Sequence, residues 1–285
     1  MDFHARAVNC FLGLALGDAY GRPLEFERGE RMRQVKVDTS RLRWTDDTHM
    51  SLYLAEAVRA HGPGALDDDR LGRAIGDAFL RWAADPLTPS TAPGNTCLAG
   101  VRNYATSRDW RMSGIAASDG CGAVMRVAPL PMRFAGAELD RAAGISSLVT
   151  HAHPNAIDSA VAACRLVRAL LEGEPLSPGL VLRFAGDNVT GDALRAAVSV
   201  GCDEHRIPPG DGGWRSASAL GIGVAAALSG RDFAGAIDLA ARIDGDSDST
   251  ACIAGMILGA AGAELPVAWV EGLQERPRVV AAVPS

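Results

Sequence analysis

The feature that most constrains this chain is the junction at residues 244–250, where DGDSDST runs straight into the longest uninterrupted apolar stretch, residues 251–263. Ile253, Met256, Ile257, Ala260 and Ala261 recur at helical spacing in that stretch, which predicts a helix. It is too short and too glycine-rich to span a bilayer, so it belongs in a protein core, with its alanines and glycines allowing close packing on several sides. Asp244, Asp246 and Asp248 therefore cluster directly before a buried helix. Carboxylates at every second position repel one another unless a cation lies between them, and oxygen-only ligands suit hard ions such as Mg²⁺, Mn²⁺ or Ca²⁺. A helix–loop–helix calcium site does not fit, because its turn glycine would fall at Ser249 and its closing glutamate at Gly255. The rest of the ligand set has to come from elsewhere, and Thr45-Asp46-Asp47-Thr48 offers the same chemistry at the start of another apolar-periodic segment.

That second segment carries Met50, Tyr53, Leu54, Ala57 and Val58 at helical spacing. Helix capping and the positive end of the helix dipole would account for one aspartate there, but not for two between threonines. Further helical stripes occur at Val8, Phe11, Leu12, Ala15 and Leu16, at Leu71, Ile75, Ala78 and Phe79, at Ala160, Val161, Cys164, Val167 and Leu171, and at Leu220, Val224, Ala227 and Leu228. The first is expected to end at the turn Gly17-Asp18-Ala19-Tyr20-Gly21, leaving Glu25 on a loop, as either a solvated carboxylate or a site residue. Between residues 27 and 43 only Val35-Lys36-Val37 alternates, too little for a sheet, and Trp44 is read either as core or as cleft lining. Asn95 is a candidate cap for a helix after the proline-broken loop at residues 86–94. About ten helices and no convincing strands give an all-α fold, expected as a compact orthogonal helical bundle with a central cleft.

The 285 residues, 48% of them hydrophobic, suffice for a large core, and the Pro/Gly-rich stretches 61–64, 86–94 and 208–213 are short enough to be loops within one domain over residues 1–285. The net charge of −6 without a basic run argues against a nucleic-acid groove and against membrane-surface binding. Cys10, Cys97, Cys121, Cys164, Cys202 and Cys252 are scattered, with no CxxC pair, which is the pattern of a reduced, cytoplasmic protein. Asn9 and Gly13 interrupt the N-terminal apolar run and no small-residue cleavage site follows, so no signal peptide is expected.

Three further segments could touch a ligand. Ser118-Asp119-Gly120-Cys121-Gly122 is a glycine-containing turn whose amides could face an anion, although neither a P-loop nor a dinucleotide fingerprint surrounds it, and a plain turn is the alternative. Thr150-His151-Ala152-His153-Pro154 opens a helix without zinc-ligand spacing, so at most one of its histidines is expected at a ligand. Gly212-Gly213-Trp214 precedes the helix at Leu220, with the tryptophan either a stacking surface or a core anchor.

Taken in order, Gly17-Asp18-x-x-Gly21 with Glu25, Thr45-Asp46-Asp47-Thr48, SDGCGAVMRVAPL, Thr150-His151, Gly212-Gly213-Trp214 and DGDSDST resemble the ADP-ribosylglycohydrolase family, from about residue 6 to about residue 263. The resemblance implies an all-helical hydrolase that releases ADP-ribose from an ADP-ribosylated protein or small-molecule acceptor, arginine-linked by default, using two Mg²⁺ or, in some members, Mn²⁺. Carried over by motif, Thr45, Asp46, Asp47, Asp246, Asp248 and Ser249 would hold the metals. Glu25 and Asp47 would be the catalytic carboxylates, and Ser118, Asp119, Gly120, Cys121, Gly122, His151 and Trp214 would bind the ligand. A monomer is expected. Many relatives carry Gly-Asn-Gly where this chain has Gly120-Cys121-Gly122, and glycine is common where this chain has Asp244. Two other readings of the same residues are a two-metal phosphohydrolase of a nucleotide or pyrophosphate and a non-catalytic ADP-ribose binder.

Overall fold

The computed structural model describes residues 1–200 and 211–284, so Cys202 and part of the loop expected at 208–213 lie outside the described residues. Among the described residues there are fifteen α-helices and no strand, only isolated bridges. In order they are α1 (Phe3–Gly21), α2 (Gly29–Gln34), α3 (Asp46–His61), α4 (Asp68–Ala84), α5 (Asn95–Ser107), α6 (Pro129–Arg133), α7 (Gly136–Leu148) and α8 (Pro154–Leu171). There follow α9 (Pro178–Leu182), α10 (Val189–Val200), α11 (Ser216–Ala227), α12 (Phe233–Ala241), α13 (Ser247–Ala261), α14 (Val267–Gly272) and α15 (Arg276–Ala281). The fold is all-α, as the helical stripes require. Among the described residues no helix is long and apolar enough to cross a membrane.

The centre of the fold is the pair α1 and α13, which run antiparallel with their backbones in contact. A Cβ added at Gly13 would lie 2.2 Å from the carbonyl oxygen of Gly255, one at Gly17 2.0 Å from that of Ala251, and one at Gly21 2.3 Å from that of Ser247. From the other side, a Cβ at Gly259 would lie 2.2 Å from the carbonyl oxygen of Asn9. Glycine at every fourth position of α1 therefore serves helix packing. This corrects the expected turn at residues 17–21: α1 continues through Gly21, because the tight contact with α13 takes up the glycines' freedom inside a helix. Residues 247–260 of α13 are all buried, as the apolar run demands.

Two local readings also change. Gly94, not Asn95, occupies the cap position of α5, and the polar stretch after Phe26 contains the short helix α2. Trp44 belongs to the core: it is fully buried and its indole Nε1 donates to the carbonyl of Gln274 at 3.0 Å.

Candidate functional site

The antiparallel contact sets the end of α1 beside the start of α13. Glu25 follows within one turn, its backbone N–H donating to Gly21 O at 3.1 Å, so the glycine contact places Glu25 over the first turn of α13. Ligand oxygens of Glu25, Asp246 and Asp248 lie within 4.8 Å of one another. The start of α3 is brought to the same place by Asp18, on α1. Thr45 N and Oγ1 each donate to Asp18 Oδ1 at 2.8 Å, while Thr48 N and Oγ1 donate to Asp18 Oδ2 at 2.9 and 2.5 Å. With α3 anchored there, Asp46 and Asp47 of its first turn face the cavity.

That cavity has a volume of about 360 Å³ and is lined by five carboxylates, Glu25, Asp46, Asp47, Asp246 and Asp248, together with Ser249. Among the described residues, no lysine or arginine lines it. Burial, the largest cause, raises Asp46, Asp47 and Asp246 well above the usual carboxylate range, and neighbouring carboxylates add to it. Glu25 is raised to about 9 by burial and then by the charges of Asp248 and Asp46. Only a few donors offset this, among them the Gly94 amide, 3.1 Å from Asp46 Oδ2. Asp47 Oδ2 is buried with no hydrogen-bond partner. An orphaned carboxylate oxygen among repelling carboxylates fits a hard cation, since leaving such a group unsatisfied costs about 1–3 kcal/mol or more.

The opposite wall is held by a buried arginine. Arg126 donates through Nη2 to Ser146 O at 2.8 Å and to Thr150 Oγ1 at 2.7 Å, and through Nη1 to Gly122 O at 2.5 Å. Thr150 Oγ1 also lies 2.8 Å from His151 Nδ1. The threonine hydrogen has no other acceptor among the described residues, so Nδ1 accepts and the neutral imidazole carries its proton on Nε2. Burial, then the Arg126 charge, lowers the His151 pKa to about 3, which keeps the ring neutral. Nε2 is the ring atom nearest Gly120, 3.3 Å from where a Cβ would stand. Gly122 has no room for a side chain, since a Cβ would lie 2.7 Å from Cys97 Sγ and 2.8 Å from His151 Cε1.

The structure thus gathers Asp46, Asp47, Asp246, Asp248, Ser249, Glu25, Gly120, Cys121, Gly122, His151 and Trp214 around one cavity. Three of the expected residues do not line it. Thr45 turns its hydroxyl to Asp18, and Ser118 Oγ pairs with Thr96 Oγ1 at 3.0 Å. Asp119 points the other way, where it accepts from Asn155 Nδ2 at 3.4 Å and lies 3.6 Å from Arg215 Nη1, lining a separate cavity. The backbone at Gly120, before the 3₁₀ turn at Cys121–Ala123, is extended, and successive residues of extended backbone face opposite sides, so Gly120 lines this cavity and Asp119 the other. His153 caps α8 through Nδ1, 3.1 Å from the Asn155 amide.

Sequence reasoning missed Phe26, the stretch from Ala92 to Cys97, and Met125 as lining residues. Phe26 is 68% exposed, has φ of 69°, and stacks on Trp214 with ring centroids 6.0 Å apart at the mouth. Its position immediately after Glu25 was the available signal.

The chain is 31% identical over 288 residues to an uncharacterized protein of Archaeoglobus fulgidus, covering 94% of this chain and 91% of that one. It is 31% identical over 183 residues to ADP-ribosyl-[dinitrogen reductase] glycohydrolase of Rhodospirillum rubrum, covering 60% and 59% of the two. ADP-ribosylarginine hydrolase Tri1 of Serratia proteamaculans is 26% identical, over 96% of this chain and 76% of that one. A solved structure titled ADP-ribosylglycohydrolase-related protein complex superposes with a TM-score of 0.76 at 26% identity, covering 99% and 96% of the two chains. Residues 1–283 match the ADP-ribosylglycohydrolase family, and the chain belongs to that family.

Proposed function

We propose that this chain is a metal-dependent hydrolase that cleaves the glycosidic bond of ADP-ribosylated acceptors, arginine-linked in the first instance, and releases ADP-ribose. The observation that carries the reading is the convergence of five carboxylates from three segments on one cavity that, among the described residues, no lysine or arginine lines. The names of the Rhodospirillum and Serratia relatives support the ADP-ribosyl substrate, and the latter the arginine linkage.

In this reading Asp46, Asp47, Asp246, Asp248 and Ser249, with Thr45 behind them, hold two Mg²⁺ or Mn²⁺. When bound, these ions would orient ribose hydroxyls and make a water a better nucleophile. Glu25, on the loop after α1, is the group placed to position that water or to move a proton at its carboxyl oxygen, the part a carboxylate plays in an oxocarbenium-like glycosidic cleavage. His151 offers an Nε2–H donor to the ligand, and Phe26 with Trp214 offers a stacking surface at the mouth. Gly120 and Gly122 let the ligand approach the backbone where a side chain would meet His151 or Cys97. We take residues 1–285 as one unit for this function.

The test is a panel of ADP-ribosylated acceptors incubated with the protein and Mg²⁺ or Mn²⁺, followed by product analysis. Free ADP-ribose plus unmodified acceptor, on arginine-linked substrate, supports the proposal. Release of AMP or phosphate identifies a phosphohydrolase instead, and binding without product identifies a non-catalytic ADP-ribose binder.

A further inference from the structure

The segment between α1 and α3 is an excursion that begins and ends beside the cleft. It leaves through Glu25 and Phe26, which line the cavity, and returns to the start of α3, where Asp46 lines it too. In between, buried Met32 and Leu42 pin it to the body of the fold. Arg242 donates through Nη1 to Met32 O at 2.7 Å and through Nη2 to Val35 O at 3.2 Å. The Gly29 amide donates to Asp244 Oδ1 and the Leu42 amide to Gly272 O, each at 3.0 Å. A backbone tied at these points holds its outward residues in a fixed arrangement.

Those outward residues are basic. Residues 28–43 carry Arg28, Arg31, Arg33, Lys36, Arg41 and Arg43 against Glu30 and Asp38, in a chain whose formal net charge is −6. All six are exposed, and among the described residues none of their side chains has an ion pair or a hydrogen bond. The two acids are engaged by neutral groups, Glu30 Oε1 by Gln34 Nε2 at 3.2 Å and Asp38 Oδ1 by Ser40 Oγ at 2.6 Å. Exposed arginines elsewhere have carboxylate partners, as Arg81 has Glu56, Arg108 has Asp77 and Arg165 has Asp140. Unpaired guanidinium groups gathered in one segment fit carboxylates or phosphates, which their planar forks hold by two bonds at once.

Of these two anions the surroundings favour carboxylates. A nucleic acid carries its charge evenly and would bring phosphates across the rest of a net acidic surface, whereas a protein can keep its acids to one side of the modified residue. Residues 27–43 also contain no aromatic side chain on which a base could stack. We propose that residues 28–43 are a docking face for acidic side chains near the modified residue of the ADP-ribosylated acceptor, so that the enzyme prefers acceptors with glutamate or aspartate beside the linkage. The inference rests on the hydrolase reading above and adds the sequence context of the acceptor.

The experiment uses the full chain and two fluorescein-labelled peptides with a central arginine, one flanked by glutamates and one by serines, each unmodified and ADP-ribosylated. Anisotropy with the unmodified peptides measures docking without turnover, and release of ADP-ribose from the modified ones gives kcat and KM. At about 50 mM salt the wild type should bind the glutamate peptide at least about fivefold tighter and hydrolyse its modified form with a KM lower by about the same factor at equal kcat. Replacing Arg31, Arg33 and Lys36 together by serine should erase both differences, as should about 0.5 M salt, while hydrolysis of free ADP-ribosylarginine stays within about twofold of wild type. Arg102→Ser, which removes an exposed arginine of α5, should change none of these. Equal binding and equal KM for the two peptides in wild type, or a loss in Arg102→Ser as large as in the triple variant, overturns the docking face and leaves the hydrolase reading standing. A single-stranded RNA of equal charge that binds tighter than the glutamate peptide, and is lost in the triple variant, overturns the acidic-protein partner. Docking that depends on the three residues in a protein that releases no ADP-ribose from any acceptor supports the face and removes the hydrolase reading instead.

Discussion

Replacing Gly17 by alanine tests the link between core packing and the site. The added Cβ would stand 2.0 Å from Ala251 O, 2.5 Å from Ala251 C and 2.9 Å from Cys252 N, all backbone atoms that no rotamer change can move aside. Ordinary contact begins near 3.4 Å, so α1 and α13 have to part by more than 1 Å at this point. Overpacking of this kind costs about 1–3 kcal/mol and occasionally more, and a backbone clash between two central helices belongs at the upper end. Alanine returns about 1 kcal/mol through helix propensity, so the net loss is expected at about 2–3 kcal/mol, or about 4–12 °C in Tm. Because Glu25 hangs from Gly21 at the end of α1, and Asp246 and Asp248 stand at the start of α13 beside it, the same shift should spread the three carboxylates. A misplacement of about 1 Å can cost about a hundredfold in rate, so hydrolysis of ADP-ribosylated acceptor should fall by more than the stability loss explains at temperatures where the variant is folded. The comparison is Gly144→Ala in α7, whose Cβ would meet only Ile157 Cγ2 at 3.8 Å and should stabilise by about 0.5–1 kcal/mol. Denaturant melts of both variants, with Mn²⁺ titrations, decide the matter. If Gly17→Ala matches wild type within about 0.5 kcal/mol and keeps its metal affinity, the helices are not in backbone contact and the argument fails.

Four more outcomes follow from the site. Asp46→Ala and Asp248→Ala should each lose turnover through loss of metal while remaining folded, with metal-free stability unchanged or higher because one repelling charge is gone; calorimetric titration with Mg²⁺ or Mn²⁺ showing wild-type affinity in both would remove them as ligands. Glu25→Gln should keep metal and ADP-ribose binding yet lose hydrolysis by at least about a hundredfold at saturating metal, and near-normal turnover would leave Glu25 without a chemical role. In the metal-free protein Asp18 is raised to about 7 and Glu25 to about 9, so the folded state holds protons that the unfolded chain releases; stability should be greatest in acid and decline as pH rises from about 4 toward 9, and denaturant midpoints that rise with pH under chelator would contradict this. Thr150→Val should leave His151 Nδ1 without its donor and weaken ADP-ribose binding about tenfold, with the ¹⁵N shifts of the imidazole reporting whether the proton has left Nε2.

The acidic motifs were legible in the sequence because their chemistry is local. Carboxylates and hydroxyls at the starts of Asp46–His61 and Ser247–Ala261 announce themselves whatever the rest of the chain does, and the buried character of Ser247–Ala261 follows from its own apolar run. Gly17 and Gly21 were read as a turn because glycine's freedom and glycine's smallness look alike in one dimension, and only the opposing carbonyls of α13 show that smallness is being used. Helix α7 carries Ala142, Ala143 and Ser146 on its buried side, small residues that leave a faint stripe. The split between Gly120, at the cavity, and Asp119, behind it, depends on backbone direction at a loop, which no periodicity records. The aromatic mouth joins Phe26 to Trp214 from opposite ends of the chain, a pairing set by the fold.

Within this cluster one residue type does two different things, and hydrogen-bond supply separates them. Asp18 is as buried as Asp47, but it accepts from four donors on Thr45 and Thr48, and those bonds fasten the first turn of α3 to α1. A carboxylate so supplied has few lone pairs to offer a ligand and acts through what it positions. Asp47, two residues after Thr45 and one before Thr48, receives no donor at Oδ2 and keeps that oxygen for whatever enters the cavity. The threonines on either side of the aspartate pair therefore serve Asp18, and by fixing the start of α3 they leave Asp46 and Asp47 turned toward Asp246 and Asp248. The T-D-D-T order is in this sense a division of labour: hydroxyls outward to the structural carboxylate, carboxylates inward to the cavity.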